Sequence, residues 1–270
     1  MKILVLGDVM ALSGRKAIKK NLYEILEKNQ INFSIINGEN AADDGKGITK
    51  EIAEELFSLG IDVITSGNHI WDKEETIKFI EKESRLLRPA NLAEGSPGKG
   101  YGIFLSKDKK FKIGVINLMG NVFMKKSDDV FQEAKKFIQR VKLKEDADFI
   151  VVDMHGEITS EKKAMGYLFD GKATVVVGTH THVPTSDYMI LEKGTAYQTD
   201  IGMCGDYNSV IGMNKDNSLK KFLKDPVAKK HYPALGEATI SGLMVEADHT
   251  TGLAKKVEPI ILGKYLENRI

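Results

Sequence analysis

Two histidines stand one residue apart in Gly178-Thr179-His180-Thr181-His182, directly after the apolar, largely β-branched run Ala173 to Val177. In an extended segment, side chains at i and i+2 lie on one side. Imidazole is the commonest metal ligand near neutral pH. Four other places repeat the arrangement. Asp8 follows the run Lys2 to Gly7, Glu39 and Asn40 follow Phe33 to Asn37, Asn68 and His69 follow Ile61 to Thr65, and His155 follows Phe149 to Asp153. Each has a plainer reading by itself: a turn residue, a helix cap, a loop polar group, or a core histidine with its hydrogen bonds satisfied. Five such coincidences at five strand ends argue instead for one shared site, because ligands of open α/β sheets bind beyond the carboxyl ends of the strands.

Carboxylate, carboxamide and imidazole together suit Fe, Mn, Zn or Co better than Ca or Mg, which prefer all-oxygen surroundings. Glu39 has two oxygens and can bridge two ions about 4 Å apart. Two divalent ions bring four positive charges. Asp8 and Glu39 remove two, and a bridging hydroxide removes a third. The site stays net positive, which favours an anionic phosphate. A water whose pKa is lowered by metal supplies a nucleophile at neutral pH without a protein base.

The elements that must position these residues follow from periodicity. Strands are expected over Lys2–Gly7, Phe33–Asn37, Ile61–Thr65, Tyr101–Leu105, Phe111–Asn117, Phe149–Asp153 and Ala173–Val177, then over residues 187–191, 195–199, 238–247 and 257–262. Helices are expected over residues 15–28, with Ile18, Leu22, Ile25 and Leu26 on one face, and over residues 50–59, with Thr49 as N-cap and Gly60 as stop. Further helices are expected near residues 73–82, 130–141 and 160–169. Alternating strands and helices predict a parallel sheet in the first half, and the later hairpins predict a second, mixed or antiparallel sheet packed on it. Residues 215–231 read as a polar, basic surface excursion. No Pro/Gly/Ser-rich linker divides the chain, so residues 1–270 read as a single domain.

Composition narrows the classes. The formal net charge is +1, which gives no basis for stable nucleic-acid binding. The single cysteine, Cys204, excludes an internal disulfide framework and a Cys-rich zinc site. No stretch approaches the ~18 apolar residues of a membrane span, and no signal-peptide layout precedes the first strand. A cytoplasmic location is expected, and a homo-oligomer is compatible with the sequence.

The ordered motifs resemble the metallophosphoesterase (calcineurin-like) superfamily, whose pattern runs Asp-x-His, Gly-Asp, Gly-Asn-His, His and Gly-His-x-His. Asp8, Asn68, His69, His155, His180 and His182 match it. Met10 stands where the first motif has His, Glu39 where the second has Asp, and Thr179 is inserted before His180. These departures resemble the YmdB-like branch of bacterial cyclic-nucleotide phosphodiesterases. That similarity includes Arg88-Pro89-Ala90-Asn91, Ser96 to Tyr101, Asn117 to Gly120, Thr159 to Lys162 and Asp200 to Met203.

The resemblance implies a four-layer α/β/β/α sandwich with two central mixed sheets. It implies two divalent or mixed-valence ions, iron or manganese. Asp8, Glu39, Asn40 and His182 would hold one ion, and Glu39, Asn68, His155 and His180 the other, with His69 as the catalytic histidine. The expected reaction is hydrolysis of a small-molecule phosphodiester, a 2′,3′-cyclic nucleotide, by a metal-bridging hydroxide. A phosphomonoesterase on the same metals and a nucleotide sensor without turnover are the rival readings. A dinucleotide-binding oxidoreductase is disfavoured, because the first strand runs into Gly7-Asp8 with no Gly-x-Gly-x-x-Gly.

Overall fold

The computed structural model describes residues 1–269. The chain runs β1 (Lys2–Val9), α1 (Ala11–Lys28), β2 (Phe33–Asn37), α2 (Lys50–Ser58), β3 (Val63–Thr65) and α3 (Glu74–Phe79). It continues with β4 (Tyr101–Leu105), β5 (Lys112–Met119), α4 (Val130–Arg140), β6 (Phe149–His155), α5 (Thr159–Phe169) and β7 (Val175–Thr179). The last third holds β8 (Met189–Ile190), β9 (Ala196–Gln198), β10 (Met203–Cys204), α6 (Lys215–Phe222), β11 (Ile240–Ala247) and β12 (Ala254–Leu262).

Strand alternation sorts the apolar residues into three cores, and these define the layers. Leu4, Leu6, Ile36 and Ile64 face outward onto Ile18, Leu22, Ile25 and Leu26 of α1 and Ile52 and Leu56 of α2. The intervening positions, Ile3, Val5, Phe33, Ile35 and Val63, face inward and meet Ile113, Val115, Phe149, Val151 and Val175 of the second sheet. The opposite parity of that sheet, Ile116, Leu118, Ile150, Val152 and Val176, packs under Ala134 and Phe137 of α4 and Met165 and Phe169 of α5. Each such side chain contributes about 1.5–3 kcal/mol when fully buried. The layers are therefore helix, sheet, sheet, helix.

Both sheets are mixed, as the resemblance implies, and the first-half strands β1, β2 and β3 run parallel to one another. The first has the order β12-β11-β1-β2-β3, with β10 also on β1. β11 returns antiparallel to β1, while β2 and β10 run parallel to it. The second has the order β4-β5-β6-β7-β9-β8, parallel from β5 to β9 with an antiparallel strand at each edge. Helix α1 begins four residues earlier than its periodicity suggests. Gly14 lets its first turn lie against β10, where a Cβ would stand 2.0 Å from the Cys204 carbonyl oxygen. The basic excursion contains α6, whose Asn217 and Ser218 are buried.

Toward the carboxyl ends the inward faces turn from apolar to polar. Asn37, Thr65, Asp153, His155 and Thr179 are buried there, in register with the apolar residues that precede them. Strand pairing sets Asp8 beside Asn37, Asn37 beside Thr65, and His155 beside Thr179.

Candidate metal centre

Glu39, His155 and His180 come together from three strand ends. One ligand atom of each lies within 4.8 Å of the others. His155 Nε2 is 3.1 Å from Glu39 Oε1, 3.1 Å from Asn68 Oδ1 and 3.1 Å from His180 Nδ1. A second group lies beside it. His182 Nε2 is 3.2 Å from Asn40 Oδ1 and 4.0 Å from Asp8 Oδ1. Asp8 Oδ1 is also 3.8 Å from His155 Nδ1, which links the two groups.

The loop after β7 carries two of the donors on unusual backbone. His180 and His182 both have positive φ, 98° and 64°, which is uncommon for non-glycine residues. Three contacts hold them: His180 N donates to Asp8 Oδ2 at 3.1 Å, Thr181 N donates to Asp200 Oδ2 at 3.1 Å, and His182 Nδ1 donates to the Ile211 carbonyl at 2.8 Å. Beneath them the Lys162 ammonium donates to Asp200 Oδ2 at 2.7 Å, with both side chains 1% exposed. Gly67 leaves room for the cluster. A Cβ there would stand 2.2 Å from the His155 ring and 2.4 Å from Glu39 Oε2.

Sequence reasoning missed Thr179, Thr65 and Asn37, which join with Asp153 to orient these ligands. Thr179 Oγ1 accepts from His155 Nδ1 at 2.9 Å and donates to Asp153 Oδ1 at 2.7 Å. Asp153 also accepts from Asn37 Nδ2 at 3.0 Å and from the Thr65 hydroxyl. The relay fixes the His155 proton on Nδ1 and turns Nε2 toward Glu39, as outer partners of metal-ligating histidines do. Inward parity behind an apolar strand was the available signal.

Burial and close charges together set the electrostatics of the cluster. Burial pushes Asp8 up to about 7, against the pull of His182 and His155. Burial disfavours a charged His155, but Glu39, Asp8 and Asp153 raise it to about 9. Burial, then the charge on His155, lowers His180 to about 3. Burial would raise Glu39, yet His155 and His69 bring it down to about 2. One proton on His155 thus serves as the cation for two buried carboxylates. Asp8 Oδ1 is buried without a hydrogen-bond partner. Orphaned carboxylate oxygen, carboxamide oxygens and imidazole nitrogens form a donor set that fits divalent transition metals.

His69 sits apart from these donors. Its segment is a turn, and its backbone N–H donates to Glu39 Oε2 at 3.0 Å while its ring points elsewhere. His69 Nδ1 is 2.7 Å from Asp72 Oδ2, and the side chain is 23% exposed. Burial pushes Asp72 up, but His69 and Lys125 together hold its carboxyl below the usual range. Ile70, next in the chain, is buried in the outer core, and Trp71 packs against it.

Comparisons with known proteins identify the family of the chain. A family model described as YmdB-like protein matches residues 4–260. Over 263 residues the chain is 43% identical to the 2′,3′-cyclic-nucleotide 2′-phosphodiesterase of Bacillus subtilis (strain 168), covering 97% of each. A crystallised protein described as a novel phosphatase, from Mycoplasma pneumoniae, superposes with TM-score 0.89 at 36% identity, over 97% of this chain and 93% of that one. A hypothetical protein from Thermus thermophilus gives TM-score 0.88 at 35% identity, over 97% and 99%. With the match running through both sheets and every strand end that carries a donor, the chain belongs to the YmdB-like family.

Proposed function

We propose that this phosphoesterase hydrolyses the cyclic phosphodiester of a 2′,3′-cyclic nucleotide at the cluster formed by Asp8, Glu39, Asn40, Asn68, His155, His180 and His182. The observation that carries the reading is the convergence of Glu39, His155 and His180 within 4.8 Å, beside a buried Asp8 oxygen that has no partner. The name of the Bacillus subtilis relative describes this reaction for that protein, and the two chains align nearly end to end.

The donors divide into Asp8, Asn40 and His182 on one side and Asn68, His155 and His180 on the other, with Glu39 to serve both. These residues would hold two ions, iron or manganese by the family resemblance, which would lower the pKa of bound water and offset charge developing on phosphoryl oxygens. The rest of the chemistry belongs to the chain. Asp72 accepts from His69 Nδ1 and fixes the ring, which leaves Nε2 to carry a proton toward the substrate. The bond from phosphorus to one ribose oxygen breaks, and His69 gives its proton to that oxygen. The hydroxyl of a water ends on phosphorus and its proton replaces the one His69 gave up. The product is a nucleoside monophosphate.

A phosphomonoesterase is the second reading, favoured by the description of the Mycoplasma pneumoniae relative as a phosphatase. The test is a comparison of manganese-loaded protein on 2′,3′-cyclic AMP, bis-p-nitrophenyl phosphate and p-nitrophenyl phosphate at equal concentration. Both diesters are expected to react faster than the monoester. A clearly faster monoester replaces the diesterase reading with the phosphatase one.

A further inference from the structure

Phe123, in the loop after β5, is the most exposed large apolar side chain among the described residues, at 84%. The loop around it is firmly tied. Gly120 N donates to the His155 carbonyl at 2.9 Å. Asn121 N donates to Glu161 Oε1 at 2.9 Å, and the Asn121 carboxamide donates to the Asp128 carbonyl and accepts from Val130 N, each at 2.9 Å. On the far side Lys125 Nζ donates to the Asn68 carbonyl at 2.6 Å and reaches Asp72 Oδ1 at 3.3 Å. Phe123 therefore lies between a backbone joined to His155 and a lysine joined to the Asn68-His69 turn.

Its own backbone is unfavourable. Phe123 has φ 61°, an outlier for a bulky side chain, and such conformations concentrate at ligand sites. An 84% exposed ring gains little from packing, so the fold does not account for an aromatic residue here. We propose that Phe123 is a nucleobase-stacking subsite that holds the base of the substrate while its phosphate lies at the cluster. The proposal rests on the nucleotide reading of the same site. Every base offers a π face, so stacking favours nucleotides over base-free phosphates with little discrimination among bases.

The test compares metal-loaded wild type, Phe123→Ala and Phe123→Trp on 2′,3′-cyclic AMP and on glycerol 1,2-cyclic phosphate, which has no base. Phe123→Ala is expected to raise KM for cyclic AMP about tenfold with kcat nearly unchanged. The base-free substrate should be unaffected, and Phe123→Trp should restore KM. Equal losses on both substrates, or no change on cyclic AMP, would overturn the subsite. If wild type turns over neither cyclic phosphate, the diesterase reading fails, and the subsite is judged by calorimetry alone. Wild type should then bind adenosine 3′-monophosphate more tightly than glycerol 2-phosphate, with the preference lost in Phe123→Ala. Equal preference in the two proteins would overturn it.

Discussion

Asn68 and His69 are adjacent, yet they leave their turn toward different partners. The Asn68 carboxamide oxygen meets His155 Nε2, whereas the His69 ring meets Asp72. A residue that touches substrate but no metal can be removed without emptying the site. General acid catalysis is typically worth ~10²–10⁴-fold. His69→Ala is therefore expected to keep its metal and melting temperature while losing roughly that factor in kcat, and to lose less with p-nitrophenolate as leaving group. A metal-depleted variant, or equal losses for good and poor leaving groups, would remove His69 from the role of acid. Asp8, Glu39, Asn68, His155, His180 and His182 were legible because donor-type residues stand where apolar runs stop. Thr179 was not. It reads as an insertion before His180, and its hydroxyl instead joins His155 to Asp153. Thr65 and Asn37 share that concealment, since a buried polar residue inside a strand looks like any other strand residue until its partners on neighbouring strands are known.

The β7 strand and the loop after it owe their shape to a buried ion pair contributed by two other segments. Lys162 on α5 and Asp200 after β9 meet under Thr181. Gly178 lets the chain pass close to both, since a Cβ there would stand 1.8 Å from the Thr199 carbonyl oxygen and 2.7 Å from Lys162 Cδ. Removing one partner leaves a buried charge unpaired, at a cost of about 3–5 kcal/mol. Lys162→Met should lower the melting temperature by roughly 6–20 °C and loosen metal retention with it. Adding Asp200→Asn should recover part of the loss. An unchanged melting temperature in thermal denaturation would show that the pair does not hold the loop. Local pattern located most elements but could not assign them to sheets. β10 has only two residues, and nothing in β11 itself announces that it pairs with β1. Likewise α1 starts at Ala11 because Gly14 can approach Cys204, a contact between residues far apart in the chain.

The fold gathers four titrating groups at the carboxyl ends of strands from both sheets, and their pH dependence separates the metal-free from the loaded protein. His155 is raised from 6.5 to about 9, so its contribution to stability is complete below pH 6.5 and lost as pH rises through 9. Asp8, raised from 3.8 to about 7, acts in the same sense at lower pH. Glu39, lowered to about 2, and His180, lowered to about 3, act oppositely, and their contributions are complete above 4.5 and 6.5. Between pH 6.5 and 9 the loss from His155 is unopposed within the cluster. Chelator-treated protein should melt progressively lower across that window, while loaded protein, with the His155 proton displaced, should not follow. Scanning calorimetry of both forms checks this, and parallel curves would show that no ion replaces the proton. The most direct measurement is a manganese titration of metal-free protein, with bound metal per chain and 2′,3′-cyclic AMP hydrolysis read on the same samples. Activity is expected to be absent without metal and to rise with occupancy to about two ions per chain. Full activity in the metal-free protein, or saturation of activity at one ion, would contradict a centre shared through Glu39.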